Sequence, residues 1–483
     1  MIFSLPGNKQ SRALWAGSYN KFILLVMLLI SSVCGYSQKT YCSFQNGNWN
    51  DPNVWTLDPS VTVWTNPTNG TPTSVDQVVI RNGRRIKANG STRQAALLQI
   101  DEGGTLDLQA FTGHTFAAVT GSGLLRIASN DFPAGDFSAF VSKSGGTIEY
   151  YATDGFAFSQ LTYNNLVINL PNTTDLALIK TTNFHVNGIL TISRGTFQIN
   201  DNTAQSLILV IDSDLYVAAN GRIITGTANY MHDLTILGNF TNYGDVKFTT
   251  RTAPDYLNDN NPRVHVHFTN STHDQNVYLG GPAVFYRIHC LKGTDDTYVL
   301  NVDASDSSFF RLYGPNNFQN NSPGTPPNIT NNNAIGLESG TLRLGQNIVV
   351  PSLASSNDYQ YNVYGVTAGT REYAIDQDAT LWIDGATVYT SSYTAPSNHI
   401  SAINPVYGKL KITSGYLIDR SAQGIGLRIT GQLIVDGGSI TATAIRTSAE
   451  SANHRGAYRQ TGGTVTILRD ISTFYTKTTQ SQK

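Results

Sequence analysis

Charge is scarce in this chain. Of its 483 residues only 13% are Asp, Glu, Lys or Arg, about half the usual share of about 25%. With 32 basic and 33 acidic residues the formal net charge is -1. No basic stripe offers the electrostatic footprint of a nucleic-acid binder, so nucleic acid is excluded as a partner. Methionine, at 3 residues, is rare; with Glu and Lys also sparse, helix is disfavoured. Three cysteines in so long a chain make no disulfide framework. Motifs for common chemistries are missing too: no HExxH spacing, no Gly-rich phosphate loop before a helix, no nucleophile elbow. The place of the missing charge is taken by Thr, Ser, Asn and 43 Gly, the residues of strands and turns. Hydrophobic residues at 40% and aromatics at 10% are enough for a core, which argues against disorder.

The N-terminus carries a targeting pattern. Lys9, Arg12 and Lys21 precede the apolar run Phe22 to Ile30, and small residues follow through Gly35 and Ser37. A positive start, a short apolar stretch and a small-residue exit describe a secretory signal peptide over 1–37, cleaved near Gly35 or Ser37. The run is far below the ~20 residues that span a bilayer, and no second one of spanning length follows. No membrane insertion is therefore expected after cleavage. Cys34 invites a lipoprotein reading, but Val33 stands where a small residue normally precedes such a cysteine. Cys42 and Cys290 remain in the mature chain. On the repeat reading below they lie roughly 50 Å apart at about 4.8 Å per coil. A disulfide tolerates less than about 7 Å between Cα atoms, so they are predicted not to pair.

A loose repeat runs through the rest. A short strand, a Gly corner, a Thr or Ser and a second short strand recur. Leu97 to Ile100 leads through Gly103-Gly104-Thr105 to Leu106-Asp107-Leu108, and Gly188 to Ile192 leads through Gly195-Thr196 to Phe197-Gln198-Ile199. The unit returns at Leu215 with Gly221, at Ile335 with Gly340, at Leu410 with Gly415, at Leu433 with Gly438 and around Gly463. Apolar and polar residues alternate inside each half, the period of a strand with one buried face. Gly195 and Gly221, Gly415 and Gly438, and Gly438 and Gly463 stand 26, 23 and 25 residues apart. That period suits a coil of three short strands better than a propeller blade of about 40 residues. Nothing between the corners reads as a crossover helix. A string of β-sandwiches also spaces short strands regularly, but the Gly-Thr corner recurs once per repeat rather than once per hairpin. The predicted fold is all-β: a right-handed parallel β-helix (solenoid) with a Trp/Pro-rich N-terminal cap region.

The expected divisions are a signal peptide (1–37), the cap region (38–90) and a parallel β-helix (91–312). An Asn/Pro-rich surface loop (313–334) and a continued β-helix, truncated at its C-terminus (335–483), complete the chain. The cap region holds Trp49, Trp55 and Trp64 with Pro52, Pro59, Pro67 and Pro72, and is expected to cover the open edge of the first coil.

Gly47-Asn48-Trp49-Asn50-Asp51-Pro52-Asn53-Val54-Trp55, followed by Asp76 to Ile80 and Leu97 to Leu108, resembles the opening of many large secreted proteins of the Bacteroidetes. It is similar to an extracellular glycine-rich module named for its eight glycines. Gly424 to Ile440 and Gly456 to Thr464 also look like coils of such proteins. The resemblance implies a β-helical, adhesin-like protein exported by the type IX route and displayed or released; it brings no catalytic residues. Proteins of that kind usually end in a compact sorting domain, and Thr473 to Lys483 looks nothing like one.

Candidate chemistry is thin. His265 and His267 alternate on Val264 to Phe268 and so share a face. His273, His289 and Cys290 follow, and His289 stands 22 residues after His267, near one coil. Stacked on adjacent coils these side chains have the chemistry of metal ligands; as merely polar residues of a solvent-facing strand they need no ion. Asp376, Asp378 and Asp384 surround Trp382, and Asp212 and Asp214 precede Leu215. Paired carboxylates serve glycoside hydrolysis, but Asp also caps turns. Trp382 and 24 tyrosines suit stacking on sugars or ordinary packing. The sequence therefore assigns no catalytic residue, no metal and no cofactor, and leaves the binding residues open. It favours a non-enzymatic structural or adhesive module, secreted or on the cell surface, with a polysaccharide or surface protein as partner. A polysaccharide lyase or glycoside hydrolase is the alternative.

Overall fold

A computed structural model describes residues 38–151, 155–200, 202–253, 261–314, 334–351, 353, 375–390, 404–419, 424–427, 430–447 and 456–473. The expected signal peptide and most of the expected loop at 313–334 fall outside them. The described chain is all-β, with long parallel sheets. Its helical content is one 3-10 turn at Pro52–Val54. Among the described residues no helix is long and apolar enough to cross a membrane.

Most strands pair in parallel with a strand further along the chain. Gln77–Ile80 faces Leu97 to Ile100 in strict register. Leu190 faces Leu215, and Leu215 in turn faces Phe240. Leu410 faces Leu433, which faces Tyr458. Strict register with a side-chain period of 2 sends the same face of every strand inward. On Arg263–Phe268 that face is Val264, Val266 and Phe268, while Arg263, His265 and His267 point out. The inward columns form one continuous core, each buried large apolar side chain contributing about 1.5–3 kcal/mol. Aromatic rings fill its widest parts: Phe158 packs at centroid distances of 5.2 Å from both Phe156 and Phe184.

Gly195, Gly221, Gly340 and Gly415 lie inside strands and bend them, whereas Gly103, Gly438 and Gly463 stand between two strands. Leu190–Ile199 runs as one strand through Gly195, whose φ is +99°. Its register with the next strand slips between Ile192 and Arg194. At Gly415 (φ +86°) a Cβ would lie 2.3 Å from the Ala386 carbonyl oxygen, so both conformation and space require glycine.

At the N-terminal side Thr40–Ser43 lies between Gln77–Ile80 and an antiparallel strand, Trp55–Thr56. Trp49 and Trp55 are buried edge to face at 5.4 Å, and the Trp55 indole donates to the Trp49 carbonyl at 2.8 Å. Trp64 is partly exposed. Cys42 and Cys290 are free and buried, in agreement with the prediction that they do not pair.

Outward faces are tied by polar ladders. Asp107 accepts from Arg85 at 2.6 Å, Arg126 at 3.3 Å and the Tyr151 hydroxyl at 2.6 Å. Arg126 also holds Glu149 at 2.6 Å, and Asn169 donates to Glu149 at 2.9 Å. Burial raises the Asp107 pKa, but the bonds from Tyr151 and Arg85 outweigh it and leave a lowered value.

Candidate functional site

Register converts alternating residues into columns. Val299, Thr341, Thr380, Lys409 and Gln432 face one another on successive strands. Two residues along each strand, Asn301, Arg343, Trp382, Lys411, Ile434 and Arg459 form a second column. Their side chains point outward while Leu342, Leu381, Leu410 and Leu433 fill the core. The first column and Trp382, Lys411, Ile434 and Arg459 of the second line an open trough of about 500 Å³ together with Asp296 and Asp436.

Trp382 lies at the middle of the trough. Its indole N–H donates to Thr413 Oγ1 at 2.7 Å, and that hydroxyl donates to Asp384 at 2.6 Å, fixing the ring. The Arg343 guanidinium lies 5.6 Å and the Lys411 ammonium 4.2 Å from the ring centroid, within cation–π range. Arg343 is tethered on both sides, to Asp303 at 2.9 Å and Asp384 at 2.8 Å. Lys409 Nζ meets Asp296 at 2.5 Å, and Thr380 donates to the same carboxylate at 2.8 Å. Arg459 meets Asp436 at 3.2 Å.

Two of these carboxylates, Asp296 and Asp384, are held in the charged form. Burial raises Asp296 and Asp384, but Lys409 and Thr380 on the first and Thr413, Arg343 and Ser414 on the second prevail, and both are lowered. A glycosidase acid needs the opposite shift. Asp376 does have a raised pKa, from burial first and then from Glu338 and Asp378. It is not among the residues lining the trough. The Asp376 carbonyl oxygen accepts from the Ala379 N–H and the Asp378 carbonyl oxygen from the Gly340 N–H, as turn residues do. Asp212 and Asp214 diverge: Asp212 meets His185 at 3.0 Å and Lys143 at 3.2 Å, while Asp214 accepts from the Asn239 backbone at 2.7 Å.

The histidines that alternate in the sequence are brought together. His265, His267 and His289 cluster on one outward face with Asp233 and Glu338. His273 is apart, bonded to Asn270 and Thr272. Cys290 points into the core. A second aromatic surface was not singled out by sequence: Tyr216, Tyr243 and Tyr278 meet at steep ring angles with centroids 6.0 and 5.9 Å apart, all partly exposed. Lys409, Lys411, Gln432 and Arg459 were missed as well, because only the register places them beside Trp382.

Comparison of the chain with protein-family models, with curated proteins and with solved structures finds no match.

Proposed function

We propose that the chain is a non-catalytic, exported binding module wound as a right-handed parallel β-helix, which holds a glycan chain along the Trp382 trough at the cell surface or after release. The winding is supported by parallel pairings that advance from repeat to repeat, as from Leu190 to Leu215 to Phe240. Export rests on the signal-peptide pattern before residue 38, and surface display on the resemblance to Bacteroidetes adhesin-like proteins.

One observation carries the binding reading: a pinned indole in a groove of alternating hydroxyl, amide and charged groups. Sugars present apolar ring faces edged with hydroxyls, and the trough offers an aromatic surface with donors and acceptors on both sides. The Asp296–Lys409 and Asp436–Arg459 pairs cancel in charge. Arg343 meets two carboxylates, Asp303 and Asp384, and Lys411 balances the extra negative charge, so the site as a whole is neutral. Asp296 and Asp384, held ionised, are unsuited to the acid role of a glycosidase.

The test is retention of the mature chain on immobilised neutral and acidic polysaccharides, with and without Ca²⁺. Retention is expected for the native chain and loss of it for Trp382→Ala. New reducing ends or unsaturated products would replace this reading with an enzymatic one. Retention that survives Trp382→Ala but fails in Tyr243→Ala would move the binding surface to the tyrosine ladder.

A further inference from the structure

The histidine cluster sits on three neighbouring parallel strands. Asp233 faces His265 in register, and His267 faces His289. Asp233 Oδ1 lies 3.0 Å from His267 Nε2 and 4.0 Å from His265 Nδ1, and all three donor atoms fall within 4.8 Å of one another. A tetrahedral ion with bonds of about 2.0–2.2 Å holds its ligand atoms about 3.4 Å apart, so a metal fits between these groups with little rearrangement.

His289 extends the cluster. Its Nδ1 lies 2.9 Å from His267 Nδ1, so one ring donates to the other. Its Nε2 stands 3.2 Å from Glu338 Oε1 in a geometry that leaves that nitrogen without a hydrogen bond. When His267 donates from Nδ1, its Nε2 presents a lone pair 3.0 Å from Asp233 Oδ1, an arrangement open to a shared cation.

We propose that Asp233, His265 and His267 bind a first-row divalent transition metal of the zinc class. Two imidazoles and one carboxylate suit such ions and not Mg²⁺ or Ca²⁺, which prefer oxygen ligands. His289, whose Nδ1 lies 2.9 Å from His267 Nδ1, stands where an outer partner usually supports a metal-bound histidine. His265 is held flat against Tyr286, with ring centroids 5.5 Å apart and planes 8° apart. The Asp233 side chain is 36% exposed, which gives the ion access and leaves room for a solvent ligand. Arg287 faces His265 in register and brings a positive charge to the edge of the site. The sequence alone assigned no metal here, because Asp233 joins the histidines only through strand pairing. This inference does not depend on the glycan reading.

The experiment is calorimetric titration of the chelator-stripped mature chain with ZnCl2, with MgCl2 and CaCl2 in parallel. One Zn²⁺ per chain with a raised Tm is expected, and no comparable response to Mg²⁺ or Ca²⁺. His289→Ala acts through His267 and should weaken binding about 10–100-fold. Asp233→Asn and His265→Gln should weaken it further, while His185→Gln leaves it unchanged. Asp233→Asn changes a part-exposed carboxylate isosterically, and its unchanged circular dichroism separates lost binding from lost folding. Absence of stoichiometric Zn²⁺, full affinity in folded Asp233→Asn, or loss of binding in His185→Gln would overturn the assignment.

Discussion

His114 shows how single buried polar residues are placed in this fold. Its Nδ1 accepts the Arg93 backbone N–H at 3.1 Å and its Nε2 lies 3.1 Å from the Phe111 carbonyl, which fixes one neutral tautomer. Burial lowers its pKa below 6.5, with the Phe111 bond opposing and the Arg93 charge assisting. The unfolded chain therefore binds the proton more readily, and the stability from neutral His114 is complete above about pH 6.5 and lost as pH falls below it. Urea unfolding at pH 7.5 and pH 5 should show a drop in midpoint on acidification that shrinks in His114→Gln. A drop of equal size in that variant would contradict this account. The two free thiols follow the same logic. Burial pushes Cys290 up to about 12 and also raises Cys42, whose neighbour Arg81 pulls the other way. Both are inert thiols in the folded chain.

At the scale of elements, the corners set the strand geometry. Gly415 combines a positive φ with a Cβ position 2.3 Å from Ala386 O, whereas Gly83 (φ +70°) has nothing within 4 Å of its Cβ position. Gly83→Ala should cost only the left-handed strain of about 1–2 kcal/mol. Gly415→Ala should cost more, because the backbone of the preceding strand must also move. Thermal melts of the two variants check the order, and equal losses would argue against close stacking at Gly415. The corners themselves were legible in sequence, since a glycine between two alternating half-strands is a local signal. So was the shared face of His265 and His267. The pairings of Gly195 with Gly221 and of His267 with His289 were legible too, from their near-one-coil spacing; other partners were not, because spacing between paired strands varies. Phe240 faces Val277 and Leu342 faces Leu381, much wider intervals than Leu190 to Leu215. No fixed period aligns Asp233 with His265, or Lys411 with Trp382.

For the whole molecule, the proposed winding makes the trough and the metal cluster consequences of the same register. If each repeat lies in register on the one before, outward residues at equal positions must form columns, whatever their sequence separation. Local changes within one column then leave distant columns intact. Substitutions at Trp382 and at Asp233 should therefore act independently, glycan retention responding to the first and Zn²⁺ affinity to the second.

Cross-linking tests the winding directly. Lys411 and Ile434 face each other across neighbouring strands, whereas Val435 points to the core. With the native thiols buried, the pair Lys411→Cys and Ile434→Cys should be joined within one chain by a short bifunctional thiol reagent. Lys411→Cys with Val435→Cys should not be joined. Failure of the first pair in a folded chain, or equal joining of both, would contradict the parallel register from which the trough is built.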